Sequence, residues 1–264
     1  MVYDVKDKVA LITGVGAGFG AELAMRLASK GAKVIGCDIN AENGQRTVAA
    51  LTSRFGANTA VFYECDVSEM AQIDAVFAKG IAKLGREEFD GIVVNNAGVG
   101  EGSKFIDDPE ADFKLDLNDA TQLGLAQMRK LGTGGVIINV ASMAGFIRNV
   151  DMPVYVAAKM GVVGFTRSLG WKLFQRHRVR VNGIAPTFSM TNMGKLAASD
   201  PDFAKHVAAS TVPISMVIDA FMRAIEDEAL AGEILRITAQ NGIDLLPSKA
   251  RAKGTVEKKK DSKL

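Results

Sequence analysis

Lys8-Val9-Ala10-Leu11-Ile12-Thr13-Gly14-Val15-Gly16-Ala17-Gly18-Phe19-Gly20 is the stretch that decides the fold. Residues 8–13 form a short apolar run, the pattern of a parallel strand buried on both faces. The glycines interrupt it, and a helical pattern runs from Ala21 to Lys30. A strand, a glycine-rich turn and a helix make the opening of a dinucleotide site. The glycines allow a tight turn and close backbone approach to a pyrophosphate, and the helix N-terminus offers unpaired N–H groups and a favourable dipole. A plain tight turn is the simpler alternative.

The rhythm then repeats. Residues 33–37 read as a second strand ending at Asp38, and residues 41–55 as a helix. A carboxylate roughly 20 residues past the glycines can hydrogen-bond both ribose hydroxyls of NAD and would repel the extra phosphate of NADP. Its alternative is a cap for the following helix. Residues 60–65 read as a third strand leading to Asp66-Val67-Ser68, residues 68–84 as a helix, and residues 90–94 as a fourth strand leading to Asn95-Asn96-Ala97-Gly98. Asp66 is placed either to reach an adenine amino group or to cap a helix. Asn95 is placed to tie the sheet to the glycine turn or simply to form a turn. Residues 135–141 are a fifth strand delivering Ser142, and residues 180–185 and 233–238 a sixth and seventh. Alternating strands and helices imply an α/β fold: one Rossmann-like, doubly wound domain with a seven-stranded parallel sheet flanked by helices. The domain is expected over residues 1–246.

Chemistry concentrates at Ser142 and Tyr155-Val156-Ala157-Ala158-Lys159. A helix over 152–174, capped by Asp151 with Pro153 in its first turn, puts Tyr155 and Lys159 one turn apart on one face. A phenol is a poor base at neutral pH, and a neighbouring ammonium favours its phenolate. Ser142, at a strand's C-terminal end, can hold a substrate oxygen. A Tyr-x-x-x-Lys pair alone recurs by chance on helix surfaces.

The 264 residues suffice for one large domain. No apolar run reaches the ~18 residues of a membrane span, and the N-terminus lacks the pattern of a secretory signal. Cys37 and Cys65 are too few for a disulfide framework or a metal cluster and read as strand packing in a reducing compartment. The net charge of +2 hides a division. Residues 247–264 carry seven Lys/Arg and two Asp/Glu, leaving a slightly acidic body with no stripe for nucleic acid. That low-apolar tail is expected to be flexible. It ends Ser262-Lys263-Leu264, a receptor-read peroxisomal address that implies an import receptor as partner. Without import the expected location is cytoplasmic.

Thr13 to Gly20, Asp66-Val67, Asn95-Asn96-Ala97-Gly98, Ser142, Tyr155-x-x-x-Lys159 and Arg180-Val181-Asn182-Gly183-Ile184-Ala185-Pro186 stand in the order found in short-chain dehydrogenases/reductases. The resemblance covers about residues 6–240. Pro153-Val154-Tyr155, residues 161–168, residues 225–232 and residues 235–238 are most similar to the NAD-dependent 15-hydroxyprostaglandin dehydrogenase branch. The resemblance implies NAD as cofactor and a small-molecule alcohol or ketone as substrate. Ser142, Tyr155 and Lys159 would be catalytic, with Asn118 holding a water in the proton relay. The cofactor residues it implies are Gly14, Gly16, Gly18, Phe19, Gly20, Asp38, Asp66, Val67, Asn95, Ala97, Tyr155, Lys159, Ile184 (backbone to the carboxamide) and Thr191. It also implies a homodimer or homotetramer through the 152–174 helix, whose Ala157, Ala158, Gly161 and Gly164 suit close packing. Residues 187–216 resemble the substrate lid, and Phe188, Met190, Met193, Leu196, Phe203, Val207, Val212 and Met216 suit a lipophilic substrate or, alternatively, a helix core.

Three departures stand out. The 99–135 segment is shorter than the branch pattern by about five residues, about 1.4 helical turns, which unsettles Asn118. Met152 occupies a substrate-placing position where the branch has glutamine, and Thr187 follows Pro186 in place of glycine. An NAD-binding protein with little turnover and an NADPH-dependent carbonyl or enoyl reductase therefore stand as alternatives to an NAD-dependent secondary alcohol dehydrogenase.

Overall fold

A computed structural model describes residues 2–98, 128, 134–149, 151–199 and 201–246. Asn118 and the 247–264 tail, with Ser262-Lys263-Leu264, lie outside the described residues. The strands are β1 (Val9–Thr13), β2 (Lys33–Asp38), β3 (Ala60–Glu64), β4 (Ile92–Asn95), β5 (Gly135–Val140), β6 (Val179–Pro186), β7 (Ile234–Thr238) and β8 (Gly242–Leu245). The helices are α1 (Gly18–Ser29), α2 (Ala41–Phe55), α3 (Met70–Lys83), α4 (Pro153–His177), α5 (Asn192–Ala198), α6 (Pro201–Ser210) and α7 (Ile214–Glu226).

One sheet runs β3-β2-β1-β4-β5-β6-β7-β8. The first seven strands are parallel, as expected, but β8 adds an eighth, antiparallel to β7. The tight return takes Gly242 to φ +65, where a side chain is disfavoured, and Asn241 donates its N–H to Thr238 Oγ1 at 3.1 Å. Arg236 on β7 then grips Asp244 on β8 through Nε at 2.9 Å and Nη2 at 2.5 Å. β8 is only four residues long, with Ile243 and Leu245 packed on the core, so its alternation is too short to stand out in the hydrophobic pattern.

Alternation along the strands fills both sides of the sheet. Ala10, Ile12, Val34 and Ile138 face α1, α2 and α7 through Leu23, Leu27, Leu51, Val217 and Phe221. Val9, Leu11, Ile35 and Ile137 face α3 through Ile73, Val76, Phe77 and Ile81, where Phe77 meets Phe89 edge to face at 5.2 Å. On the same side, Val162 and Val163 of α4 pack against Ala141, Ala185 and Ile234. No helix among the described residues is long and apolar enough to cross a membrane.

Three helix starts differ from expectation, α3 beginning at Met70, two residues late. α1 begins at Gly18, three residues early. First-turn N–H groups need no helical partner, so low glycine propensity costs little there. α4 is capped by Met152 rather than Asp151, whose backbone N–H instead donates to Asn149 Oδ1 at 2.9 Å.

The end of α7 is held from below. Arg180, 3% exposed on β6, donates Nη1 to the carbonyls of Ala224 (3.0 Å), Asp227 (3.1 Å) and Leu230 (3.4 Å) and Nη2 to Ile225. Asn182 adds bonds to Ala224 and Leu230 at 3.2 and 2.9 Å. Arg180→Met fits the space without the donors and strands several buried carbonyls. A loss of about 3 kcal/mol in urea unfolding is expected; a change within about 0.5 kcal/mol would show that water replaces the guanidinium at no cost.

Candidate active site

The strand order reverses at β1, which pairs with β2 on one side and β4 on the other. Connections leave a crevice at such a point, outside the carboxyl ends of the strands. The glycine turn closes one side of it. Gly14 takes φ +70, and an added Cβ there would stand 2.8 Å from Asn96 Nδ2. At Gly20 a Cβ would meet the Gly14 carbonyl oxygen at 2.1 Å. These glycines are thus required by the turn's own packing, before any ligand is considered. The α1 N-terminus has no side-chain cap and no acidic residue in its first turn, which leaves its N–H groups and positive dipole end suited to a phosphate.

The tie between sheet and glycine turn runs through Asn96, not Asn95. Asn96 Nδ2 donates to the carbonyls of Thr13 (2.9 Å) and Gly14 (3.1 Å). Thr13 Oγ1 accepts from the backbone N–H groups of Asn96 (3.0 Å) and Ala97 (2.9 Å) and donates to the Val94 carbonyl at 3.4 Å. Asn95, 5% exposed, turns inward and donates to Asn139 Oδ1 at 2.7 Å, and Asn139 donates to Thr166 Oγ1 at 3.0 Å. This buried relay joins β4, β5 and α4. Neither Thr13, Asn96, Asn139 nor Thr166 was singled out by sequence reasoning. The polar Asn139 and Thr166 inside apolar surroundings were the available signal, because buried polar groups need partners.

Asp38, at the end of β2, meets the glycine turn. Its Oδ2 accepts from the Gly16 N–H at 2.8 Å and its Oδ1 from the Asn40 N–H at 2.8 Å. A carboxylate has about four acceptor positions, so room remains for hydroxyl donors. Asp66 Oδ1 accepts from the Ser68 N–H (2.9 Å) and hydroxyl (2.8 Å), so it shapes the turn before α3, which starts at Met70 behind Glu69. Val67 packs into the core beside it. Thr191 is brought onto the glycine turn, its Cγ2 3.0 Å from where a Gly18 Cβ would be.

Two of the expected cofactor residues already have partners within the fold. The Phe19 side chain is partly buried against the core, its ring tilted 57° to that of Phe221 with centroids 6.5 Å apart. Ile184 is fully buried, and its carbonyl already accepts from the Ala141 N–H at 2.8 Å, as ladder geometry on a central strand demands. Thr187, the departure after Pro186, pins the turn with its N–H and hydroxyl to the Ile237 carbonyl at 2.9 and 3.2 Å.

The reactive side chains gather on the other side of the crevice. Ser142 lies two residues past β5 and caps a short 3-10 turn (Met143–Phe146), its Oγ accepting from the Ala144 N–H at 3.1 Å. Its hydroxyl also hydrogen-bonds with Tyr155. Lys159 Nζ lies 5.6 Å from the Tyr155 ring centroid and donates to the Val140 carbonyl at 2.8 Å. The Gly98 position approaches the same ammonium, a Cβ there lying 3.9 Å from Nζ. Close packing fixes the assembly, since a Cβ on Gly145 would stand 2.9 Å from the Lys159 carbonyl oxygen. Burial raises the Tyr155 pKa, and the bond with Ser142 opposes it. Desolvation pushes Lys159 down to about 8.

The lid stretch divides. Val207 and Val212 are buried at 2% and 1% and Met216 packs on the core, whereas Met190, Met193 and Leu196 are 47%, 42% and 75% exposed. Its two ends are tied by Val212 N–H to the Phe188 carbonyl at 2.8 Å and Ser189 Oγ to the Val212 carbonyl at 2.9 Å. Met152 is half-buried at the start of α4. Side-chain placement of Phe203 lies outside what is described.

Comparison with known proteins gives concordant results. The family model described as short chain dehydrogenase matches residues 8–202. Rat (Rattus norvegicus) 15-hydroxyprostaglandin dehydrogenase [NAD(+)] is 35% identical, over 94% of this chain and 99% of its own length. The 7alpha-hydroxysteroid dehydrogenase of Escherichia coli (strain K12) is 37% identical, over 70% of this chain and 72% of its own. A solved 7alpha-hydroxysteroid dehydrogenase, complexed with NADH and 7-oxo glycochenodeoxycholic acid, superposes with a TM-score of 0.79 at 29% identity, covering 90% of this chain and 95% of that one.

The depressed Lys159 pKa has a consequence for stability. Between about 8 and its ordinary value of 10.5, the unfolded chain holds more of this proton than the folded one, so stability rises with pH through that window. Below it the folded protein carries the full cost of a desolvated ammonium. Lys159→Met is therefore expected to be more stable than wild type at neutral pH by about 1–3 kcal/mol. The advantage shrinks toward alkaline pH. Urea unfolding at several pH values checks it, and a variant less stable at neutral pH would show that the bond to Val140 outweighs desolvation.

Proposed function

The chain belongs to the short chain dehydrogenase family, and from that premise we propose that it is an NAD-dependent oxidoreductase. It interconverts a secondary alcohol and its ketone at Ser142, Tyr155 and Lys159. The observation that carries this reading is the Lys159 ammonium standing 5.6 Å from the Tyr155 ring and bonded to the Val140 carbonyl, at the end of the parallel strand that leads to Ser142. Family membership makes the chain an oxidoreductase; the roles of the three side chains are our assignment.

In the oxidative direction Ser142 holds the substrate hydroxyl, and Tyr155, as phenolate, takes its proton. Lys159 favours the phenolate by its charge, while its bond to Val140 fixes where the ammonium stands. NAD, when bound, supplies the hydride acceptor. The glycine turn and the α1 N-terminus would hold its pyrophosphate and Asp38 its ribose hydroxyls, which fits a site whose carboxylate is already oriented by Gly16 and Asn40. Reduction of the ketone uses the same groups in reverse.

A lipophilic substrate is part of the proposal, supported by the exposed Met190, Met193 and Leu196 along the lid. Self-association through α4 is another part. Met160 and Trp171 are 44% and 57% exposed on it, and nothing stands within 4 Å of a Cβ at Gly164. Peroxisomal import is a third, resting on Ser262-Lys263-Leu264 alone.

Tyr155→Phe keeps the ring and removes the proton acceptor. With a panel of secondary alcohols, kcat is expected to fall by about 10²–10⁴-fold while NAD affinity stays within about threefold. Because burial holds the wild-type phenol above its ordinary value, its kcat/KM should keep climbing with pH into the alkaline range, a slope the variant lacks. Equal, negligible turnover by both proteins across alcohols and ketones, with NAD still bound, would overturn the catalytic reading. Asp38→Ala should narrow the preference for NAD over NADP by at least about tenfold; tighter NADP binding by wild type would sink the assignment of the cofactor.

A further inference from the structure

Helix α4 carries both Tyr155 and Lys159, so its seat on the sheet sets where they stand. Its buried residues are Val156, Val162, Val163, Thr166 and Gly170, and Thr166 is the polar one among them. Positions 155, 159, 162, 166 and 170 recur at helical spacing and form one stripe toward the sheet. Much of that stripe meets glycine or backbone. A Cβ on Gly145 would stand 2.9 Å from the Lys159 carbonyl oxygen, and one on Gly170 would stand 2.2 Å from Gly232 Cα. Such surfaces let α4 come close but put few side-chain ridges across its axis. Apolar contact is non-directional, so the position along that axis needs another source.

Two polar contacts with β5 supply it. Lys159 Nζ donates to the Val140 carbonyl at 2.8 Å. About two turns further along, Thr166 Oγ1 accepts from Asn139 Nδ2 at 3.0 Å. Asn139 and Thr166 are both fully buried, and Asn139 directly precedes Val140 in the chain. Asn139 is itself steadied from β4, its Oδ1 accepting from Asn95 Nδ2 at 2.7 Å. Gly183 stands opposite Asn139 on β6, and a Cβ there would already lie 3.6 Å from Thr166 Cγ2. Thr166 is thus seated against backbone on one side and a fixed amide on the other.

We propose that Thr166 and Asn139 are positioning residues for the reaction: their bond holds α4 in register on β5 and keeps the Lys159 ammonium on the Val140 carbonyl beside Tyr155. The inference rests on the reading of Tyr155 and Lys159 as the reacting centre. Both new residues act through Lys159. Without the Thr166 hydroxyl, that end of α4 depends on the flexible tip of a lysine, which follows a displaced helix or lets go of Val140. A misplacement of about 1 Å near reacting groups costs on the order of a hundredfold in rate. The dinucleotide contacts at Asp38 and the glycine turn belong to β1 and β2, across the crevice, and are spared.

The test compares full-length wild type with Thr166→Val, Thr166→Ser and Leu173→Ala. Thr166→Val keeps the shape and removes the hydroxyl, whereas Thr166→Ser keeps the hydroxyl. Leu173 packs on the core from the same helix, so its truncation loosens α4 and leaves the polar contacts in place. Turnover of a secondary alcohol, NAD affinity by calorimetry and the titration of Lys159 are measured. The titration follows the Cε signal of lysine-labelled protein, assigned by its loss in Lys159→Met. In Thr166→Val, kcat is expected to fall about tenfold, with alcohol KM and NAD affinity within about threefold. Its Lys159 midpoint should climb from about 8 toward 10.5, because a helix riding off β5 admits water and relieves desolvation. Thr166→Ser and Leu173→Ala should stay within about twofold of wild type in kcat. The inference is overturned if Thr166→Val keeps the wild-type kcat or midpoint, if Thr166→Ser loses as much, or if Leu173→Ala reproduces the loss. Thr166→Ala takes the place of a Thr166→Val that does not fold, with the same expectations. Failure of both to fold overturns the inference too, because the bond then serves the fold as a whole. A wild type without turnover overturns the reading of Tyr155 as base, and the Lys159 midpoint then reports separately whether Thr166 sets its place.

Discussion

The reversal of strand order at β1 is the constraint on which the molecule depends. Parallel strands present all their carboxyl ends on one edge, and the loops that leave β1 and β4 turn to opposite sides. A gap between them is unavoidable. The protein closes its floor with two short polar side chains, Thr13 and Asn96, which bind backbone groups on both strands. Gly14 and Gly20 owe their identity to this closure, since a Cβ on either would strike Asn96 or the turn itself. The glycine pattern is thus a packing requirement first, and a phosphate-sized space with free helix N–H groups follows from it.

Around that gap the structure keeps polar groups that a core would normally exclude. Lys159 bears the cost of desolvation and retains one firm partner, the Val140 carbonyl. Asn95, Asn139 and Thr166 form a buried chain whose members satisfy one another. It anchors α4 to the strands that deliver Ser142. In a low-dielectric setting such a network is strong only when complete, and completeness holds Tyr155 and Ser142 in register across the crevice. Stability and chemistry pull in opposite directions at Lys159, whereas at Asn139 they coincide.

Much of this was legible in the chain. Short apolar runs separated by helical periodicity placed the seven parallel strands to within one or two residues. Ser142, Tyr155 and Lys159 stood out because their residue types and positions at element ends imply chemistry. β8 did not stand out, because its four residues give only two inward positions, Ile243 and Leu245, too few to read as an alternation. Asn95 was chosen over Asn96 for a similar reason. Adjacent residues at a strand end point to opposite sides, and only the pairing register tells which one faces the turn. Phe19 was implied as a cofactor residue by the resemblance; that its ring meets Phe221 across the α1–α7 contact is a tertiary fact the chain does not show.

The sequence alone determined the order of elements, the doubly wound class and the set of reactive residue types, because hydrophobic period and glycine placement are local properties that survive without a partner. The tertiary structure decided which neighbour each polar group meets. Asp38 joins Gly16, Asn95 joins Asn139, and Lys159 joins Val140. Those pairings span strands far apart in the chain. They are set by register and by burial, which exist only once the sheet has closed against its helices.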